Sequence, residues 1–183
     1  HSVMLSKFDA SEFLAKAEET QAAYTFLVPT MIAMVMDDPA IDTARTALKI
    51  ISYGASSISP TLMARAEKRF GKVFAQCYGQ AESPMAITYL RPEHHDRIGS
   101  CGRPFSVVEV AIFDDGDQPL PPGERGEIVC RGPQTMAYYW NRPEQTAQAF
   151  RNGWLHTGDI GTMDEDGFFY ILDRKNDMLI SGG

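Results

Sequence analysis

Apolar positions in the first half of the chain alternate between helical spacing and short continuous runs. Asp9-Ala10-Ser11-Glu12 has the spacing of a capped helix start, and Phe13, Leu14 and Ala17 continue one face of that helix. Tyr24 to Val28 is an apolar run of strand length, and Pro29 then opens a Met-rich helix over 30–36. Leu48 to Tyr53 predicts a second buried strand, ending in the small-residue loop Gly54-Ala55-Ser56-Ser57. Ser59-Pro60 supplies the cap and first position of a helix that runs to Phe70 and stops at Gly71. Val73 to Tyr78 is the third predicted strand. Helices placed between strands imply a mostly parallel sheet covered on both faces. Ligands bind such sheets at the carboxyl ends of strands, so Gly54-Ala55-Ser56 and Tyr78-Gly79 are expected to face one crevice.

Past about Ile98 the pattern changes to short strands and turns. Strands are predicted over Val107 to Phe113, Gly126 to Arg131, Ile160 to Met163 and Phe168 to Leu172, with a helix from Pro143 to Phe150. The last two strands flank the turn Asp164-Glu165-Asp166-Gly167. The expected fold class is α/β: a mostly parallel sheet with covering helices over 1–97, then a small antiparallel, barrel-like β subdomain over 98–172.

Charge and composition narrow the function. A formal net charge of −7 argues against binding nucleic acid, which calls for a basic face, but not against a single nucleotide. Cys77, Cys101 and Cys130 are odd in number and widely spaced, which favours a reducing, cytoplasmic setting over a disulfide framework. The apolar stretch from Tyr24 to Met36 is too short for a transmembrane segment and is broken by Pro29. The chain opens at His1 and stops at Gly183, and both ends read as cuts in a longer protein.

Three segments carry candidate chemistry: Tyr78-Gly79-Gln80-Ala81-Glu82, Trp154-Leu155-His156-Thr157-Gly158-Asp159 and Asp173-Arg174-Lys175-Asn176-Asp177. Each sets a side chain suited to a nucleotide beside a glycine or a turn, where backbone can approach a ligand. An aromatic ring stacks on a base, a carboxylate accepts from ribose hydroxyls, and a guanidinium clamps oxygen acceptors. Singly, each residue has an ordinary structural reading: a strand-end core tyrosine, a turn aspartate, a solvated glutamate, a surface ion pair. Their joint order outweighs those readings.

Tyr78 to Glu82 resembles the aromatic-Gly-x-Thr-Glu signature of the adenylate-forming enzymes, which include the AMP-forming acyl-CoA synthetases. The resemblance continues through Gly123 to Ile128, Tyr138 to Ala147, Trp154 to Asp159 and Asp173 to Gly183. It implies activation of a fatty or aryl carboxylic acid with ATP, giving acyl-AMP and pyrophosphate, followed by transfer to coenzyme A. The alternatives are loading of a carrier-protein thiol and a nucleotide-binding module without chemistry. The implied partners are the acid, ATP, CoA and the N- and C-terminal parts of the same enzyme, with Mg²⁺ as metal.

Site roles follow from the resemblance residue by residue. Tyr78 would lie against adenine, with Gly54, Ala55 and Ser56 on its other side and Gln76, Cys77, Gly79 and Ala81 near the nucleotide. Glu82 would be the catalytic, Mg²⁺-associated carboxylate. Asp159 would take the ribose hydroxyls, and Arg174 the ribose or phosphate side. Tyr53, Val28 and Met31 would wall the acyl pocket. Residues 173–183, with Asn176, would form the hinge to a C-terminal domain. Ala81 stands where the family usually has Thr or Ser, removing a hydroxyl contact to the α-phosphate worth about 1.5–3 kcal/mol. Asn176 replaces the usual hinge Asp or Lys, and Ala137 a common Gly. The phosphate loop and the catalytic Lys of the family fall outside the 183 residues, so this segment alone is expected to be inactive. Glu93-His94-His95-Asp96 reads as a solvated loop rather than a metal site, and His156 as structural.

Overall fold

The computed structural model describes residues 2–174. The chain packs as two compact units, one formed by residues up to 76 with 91–98, the other by 77–90 with 99 onward.

In the first unit the Asp9 side chain caps α1 (Ala10–Glu19) by accepting from the Glu12 amide at 2.9 Å, and Leu14 and Ala17 turn inward. β1 (Tyr24–Leu27) pairs in parallel with β2 (Ile50–Gly54), with Tyr24 opposite Ile50. The crossover between them holds α2 (Pro29–Asp37), which opens on a proline where a missing N–H goes unnoticed. α3 (Pro60–Phe70) starts at Ser59, whose hydroxyl accepts from the Leu62 amide, and ends at Gly71. β3 (Phe74–Gln80) begins beside β2. Leu27, Ile32, Ile51, Tyr53, Ala66 and Phe74 form the core between these elements. The four buried residues Ile51 to Gly54 of β2 match the continuous apolar pattern of a strand covered on both faces.

In the second unit β4 (Ser83–Leu90) follows β3 after the turn Ala81-Glu82. Then come β5 (Ser100–Pro104), β6 (Glu109–Phe113), β7 (Gly126–Arg131), α4 (Pro143–Ala149), β8 (Phe150–Arg151), β9 (Trp154–Met163) and β10 (Phe169–Arg174). The strands run in the order β4-β5-β10-β9-β7-β6, antiparallel, with β8 on β9. Among the described residues this path is open, so the part expected to be barrel-like is an antiparallel sheet without closure. Ile87, Ile112, Ile128, Leu155 and Phe169 fill its core. At Gly161 a Cβ would fall 2.5 Å from the Tyr170 carbonyl oxygen, so the approach of β10 to β9 depends on glycine there.

β9 is bulged within one of the candidate segments. Glu127 and Val129 of β7 are two residues apart, whereas their partners Ile160 and His156 are four apart, so Thr157-Gly158-Asp159 carries the excess length. β10 is irregular at the same level, between Ile171 and Asp173. Bulges of this kind re-aim side chains out of the regular alternation.

Three features depart from the sequence pattern. Ser83 to Leu90 is a strand, although Pro84 argues against one by removing a ladder donor. β9 begins at Trp154 rather than Ile160, because the bulge absorbs the turn-like Thr-Gly-Asp without ending the strand. β5 contains Gly102 and Pro104 and has no strand pattern of its own; it is held by β4 and β10.

Candidate active site

Asp159 leaves the bulge half-buried and held on three sides. The Tyr78 hydroxyl donates to Asp159 Oδ2 at 2.5 Å, and the Asp159 amide donates to Thr157 Oγ1 at 3.1 Å. Thr157 in turn donates to the Ile128 carbonyl at 2.7 Å. Arg174 Nε lies 3.6 Å from Asp159 Oδ1. Burial first, then the Asp159 carboxylate, push the Tyr78 phenol far above its ordinary pKa, so it remains a donor throughout the physiological range. Gly158 has a φ of 76°, a left-handed conformation that would strain another residue by about 1–2 kcal/mol.

Beside Gly158 lies a charge cluster in which Glu127 and His156 are buried and Arg151 and Asp117 are partly exposed. Glu127 Oε1 accepts from the Gly158 amide at 2.9 Å, and its Oε2 is 3.0 Å from His156 Nδ1 and 3.6 Å from Arg151 Nη2. Arg151 grips Asp117 through Nε and Nη2, each at 3.0 Å to one carboxylate oxygen. His156 Nδ1 is also 2.7 Å from Arg151 Nη2, so it serves the guanidinium or the carboxylate according to its tautomer.

Glu82 sits in the turn after β3, and Tyr139 donates to its Oε1 at 2.6 Å. Burial, then this hydrogen bond, push the Tyr139 phenol up to about 12. A cleft of about 550 Å³ opens here, lined by Gln80, Glu82, Tyr139, Arg142, Gly158 and Arg174 among others. Carboxylate and guanidinium groups facing one space suit a phosphate-bearing ligand that brings its own divalent cation. Among the described residues no group of three His, Cys, Asp or Glu side chains could hold a metal unaided.

The other candidates from sequence belong mostly to the first unit. Tyr53 is 2% exposed, and its hydroxyl lies 3.2 Å from Gln76 Oε1 and 3.3 Å from His95 Nε2. His95 is therefore half-buried and hydrogen-bonded, not part of a solvated loop: its Nδ1 sits 3.1 Å from the Arg91 carbonyl. Burial lowers its pKa. Gly54 is buried at the end of β2, Ala55 is exposed with a φ of 69°, and Ser56 is exposed. Val28 and Met31, at the start of α2, are half-buried, as are Gln76 and Cys77. Gly79 and Ala81 are exposed at the end of β3. Asn176 lies outside the described residues.

The structure thus brings Tyr78, Asp159 and Arg174 into contact, and places Glu82 and Arg174 on one cleft. Sequence reasoning missed Tyr139, Glu127, Arg151 and Asp117. Tyr139 and Glu127 lie inside recurring motif stretches, which was an available signal; Asp117 and Arg151 meet only through folding. The three cysteines form no disulfide, and burial pushes the Cys101 and Cys130 thiols up to about 11.

Residues 1–140 match the family described as AMP-binding enzyme. The chain belongs to that family. A medium/long-chain-fatty-acid–CoA ligase of Mycobacterium tuberculosis, FadD8, is 46% identical over 99% of the chain and 32% of its own length. Two solved structures align closely. The amide bond synthetase McbA from Marinactinospora thermotolerans does so with TM-score 0.88 and 38% identity, over 94% of this chain and 36% of that one. The O-succinylbenzoate coenzyme A synthetase of Bacillus subtilis, in complex with ATP and magnesium ion, gives 0.86 and 33% over 97% and 37%. The chain therefore spans about a third of the length of the relative it matches at 46% identity. No helix among the described residues is long and apolar enough to cross a membrane.

Proposed function

We propose that this chain is the adenylate-binding part of an AMP-forming acid–thiol ligase that activates a fatty or aryl carboxylic acid and passes it to coenzyme A. The observation that carries the reading is the Tyr78–Asp159–Arg174 contact beside the Glu82 cleft. Tyr78 offers its ring to adenine while its hydroxyl holds Asp159. Asp159 Oδ1, the oxygen not bonded to Tyr78, accepts from ribose hydroxyls, and Arg174 steadies the ribose and phosphate side. Gly54, Ala55, Ser56, Gln76, Cys77, Gly79 and Ala81 are the further nucleotide-binding residues, and Tyr53, Val28 and Met31 the acyl-pocket residues. Residues 173–183, including Asn176, are the hinge.

Glu82 fits Mg²⁺ as that ion is usually held with a nucleotide: one carboxylate, waters and phosphate oxygens rather than an all-protein cage. Tyr139 occupies one of its oxygens and leaves the other available. When bound, magnesium neutralises phosphate charge. In the first step the acid's carboxylate oxygen bonds to the α-phosphorus and the bond to the β-phosphate oxygen breaks, releasing pyrophosphate. In the second the thiol sulfur bonds to the acyl carbon, AMP departs, and the thiol proton passes to solvent. Tyr78, Asp159 and Arg174 orient the nucleotide for both. Three cysteines that form no disulfide fit a reducing, cytoplasmic setting.

The test is hydroxamate trapping with ATP and Mg²⁺ over a panel of aliphatic and aromatic acids, using the longest native chain that carries these residues. Adenylate formation followed by CoA consumption is expected. Absence of adenylate with every acid overturns the enzyme reading. Adenylate that is consumed by an amine or a carrier-protein thiol but not by CoA overturns only the acceptor, an outcome the likeness to an amide bond synthetase makes worth including.

A further inference from the structure

Glu127 is 5% exposed, one of two carboxylates in a cluster with a single guanidinium and an imidazole. A buried charge is tolerated when it is paired and hydrogen-bonded, yet an apolar side chain of similar volume would usually serve stability as well. Glu127 makes one contact that no apolar residue could replace. Its Oε1 accepts the Gly158 amide at 2.9 Å.

That amide sits in the β9 bulge, where the register shift interrupts the ladder between Glu127 and Val129. The bulge is tied to β7 at two successive points. Glu127 takes the Gly158 amide, and the Ile128 carbonyl takes the Thr157 hydroxyl, which itself receives the Asp159 amide. Arg151, anchored on Asp117, pairs with the other oxygen of Glu127 at 3.6 Å, and His156 Nδ1 lies 3.0 Å from that same oxygen. The chain of contacts runs from a rigid strand, through one carboxylate, to the backbone immediately before Asp159.

We propose that Glu127 is a positioning residue for ribose recognition: by holding the Gly158 amide it sets the aim of the Asp159 carboxylate. This rests on the reading of Asp159 as the ribose ligand. Arg151, Asp117 and His156 support Glu127. A merely structural glutamate would affect every ligand of the site alike, whereas a residue that aims Asp159 affects only ligands with ribose hydroxyls.

The test compares binding of ATP and 2′,3′-dideoxy-ATP by calorimetry, on the longest native chain that carries these residues. The wild type should prefer ATP by about tenfold or more, the order expected for hydrogen bonds to a charged group. Glu127→Met keeps the volume and removes the acceptor; it should cut that preference at least fivefold while changing dideoxy-ATP binding less than twofold. Glu127→Asp keeps the charge for Arg151 and His156 but draws the carboxylate back from Gly158, so it should lose the preference too, and it decides the matter if the Met variant does not fold. Glu127→Gln retains an oxygen for the amide and should keep most of the preference. Equal losses for both nucleotides in the Met or Asp variant, or no loss in the Asp variant, overturn the proposal. Asp159→Ala separates the two readings. If it abolishes the preference while Glu127→Asp leaves it intact, only the role of Glu127 falls. If wild type shows no preference, the ribose role of Asp159 falls and takes this inference with it.

Discussion

Tyr53 in the first unit and Tyr78 in the second are both buried strand residues with engaged hydroxyls, but their partners differ in charge. Tyr78 donates to a carboxylate that also lies 3.6 Å from a guanidinium. Tyr53 meets an amide oxygen and an imidazole. A hydrogen bond to an ionised acceptor is roughly twice as strong as a neutral one, and it fixes where the remaining lone pairs of that acceptor point. Tyr78 therefore orients a charge, whereas Tyr53 orients only shape. The surroundings follow the same division. The second unit surrounds its bulge with Glu127, Arg151, Asp117 and His156, while the first packs Tyr53 among Leu27, Ile51 and Phe74. Charged partners gather around the buried tyrosine of the β-rich unit, and the α/β unit packs its own tyrosine in an apolar core.

The largest break in this comparison comes from Asp159→Ala. Loss of hydrogen bonds to a charged acceptor, about 1.5–3 kcal/mol, weakens an ATP analogue about 10–100-fold by calorimetry. Unchanged affinity removes the ribose role. Tyr139→Phe comes next. With its hydroxyl gone Glu82 loses one orienting bond, and half-saturation by Mg²⁺ in adenylate formation should rise about three- to tenfold, on the order of 1 kcal/mol. Mn²⁺ binding to the ATP complex, followed by electron spin resonance, should weaken in parallel; a metal dependence like that of wild type severs Tyr139 from Glu82 function. Tyr78→Phe and Tyr53→Phe then sharpen the contrast directly. Each should lower stability by about 1 kcal/mol in urea titrations, but only Tyr78→Phe should also weaken nucleotide. Matching nucleotide affinities in the two variants would erase the distinction drawn between the units.

Some of this was legible in the sequence because its causes are local. Pro29, Ser59-Pro60 and the Asp9–Glu12 spacing start helices through their own backbone, and the structure starts them there. The candidate residues Tyr78, Glu82, Asp159 and Arg174 were readable as motif positions. Their couplings were not, because those are made by strand pairing. Tyr78 and Asp159 are 81 residues apart, Glu82 and Tyr139 57, and Asp117 and Arg151 34. The bulge that turns Asp159 out of the β9 alternation depends on the register with β7, which no window of β9 alone contains. β4 failed for a related reason: Pro84 is a local signal against a strand, and pairing partners overrode it.

The smallest expected effect lies in the first unit, at His95. Burial is the main cause of its lowered pKa, opposed by the Arg91 and Pro92 backbone and by Glu67 and Asp96. The folded state thus binds the proton less readily than the unfolded chain, whose histidine titrates near about 6.5. Between those two values the unfolded state carries more protons, so stability rises with pH there and is lost as pH falls below about 6.5. Burial favours the neutral ring, whose Nδ1–H donates to the Arg91 carbonyl. His95→Asn removes that titration. Melting temperatures followed from pH 7.5 to 5 should fall more steeply for wild type than for the variant, while nucleotide affinity at pH 7.5 stays the same for both. Parallel slopes would mean that Tyr53 and Gln76 keep their places without help from the neutral imidazole, and a loss of nucleotide affinity would place charge recognition in the first unit as well.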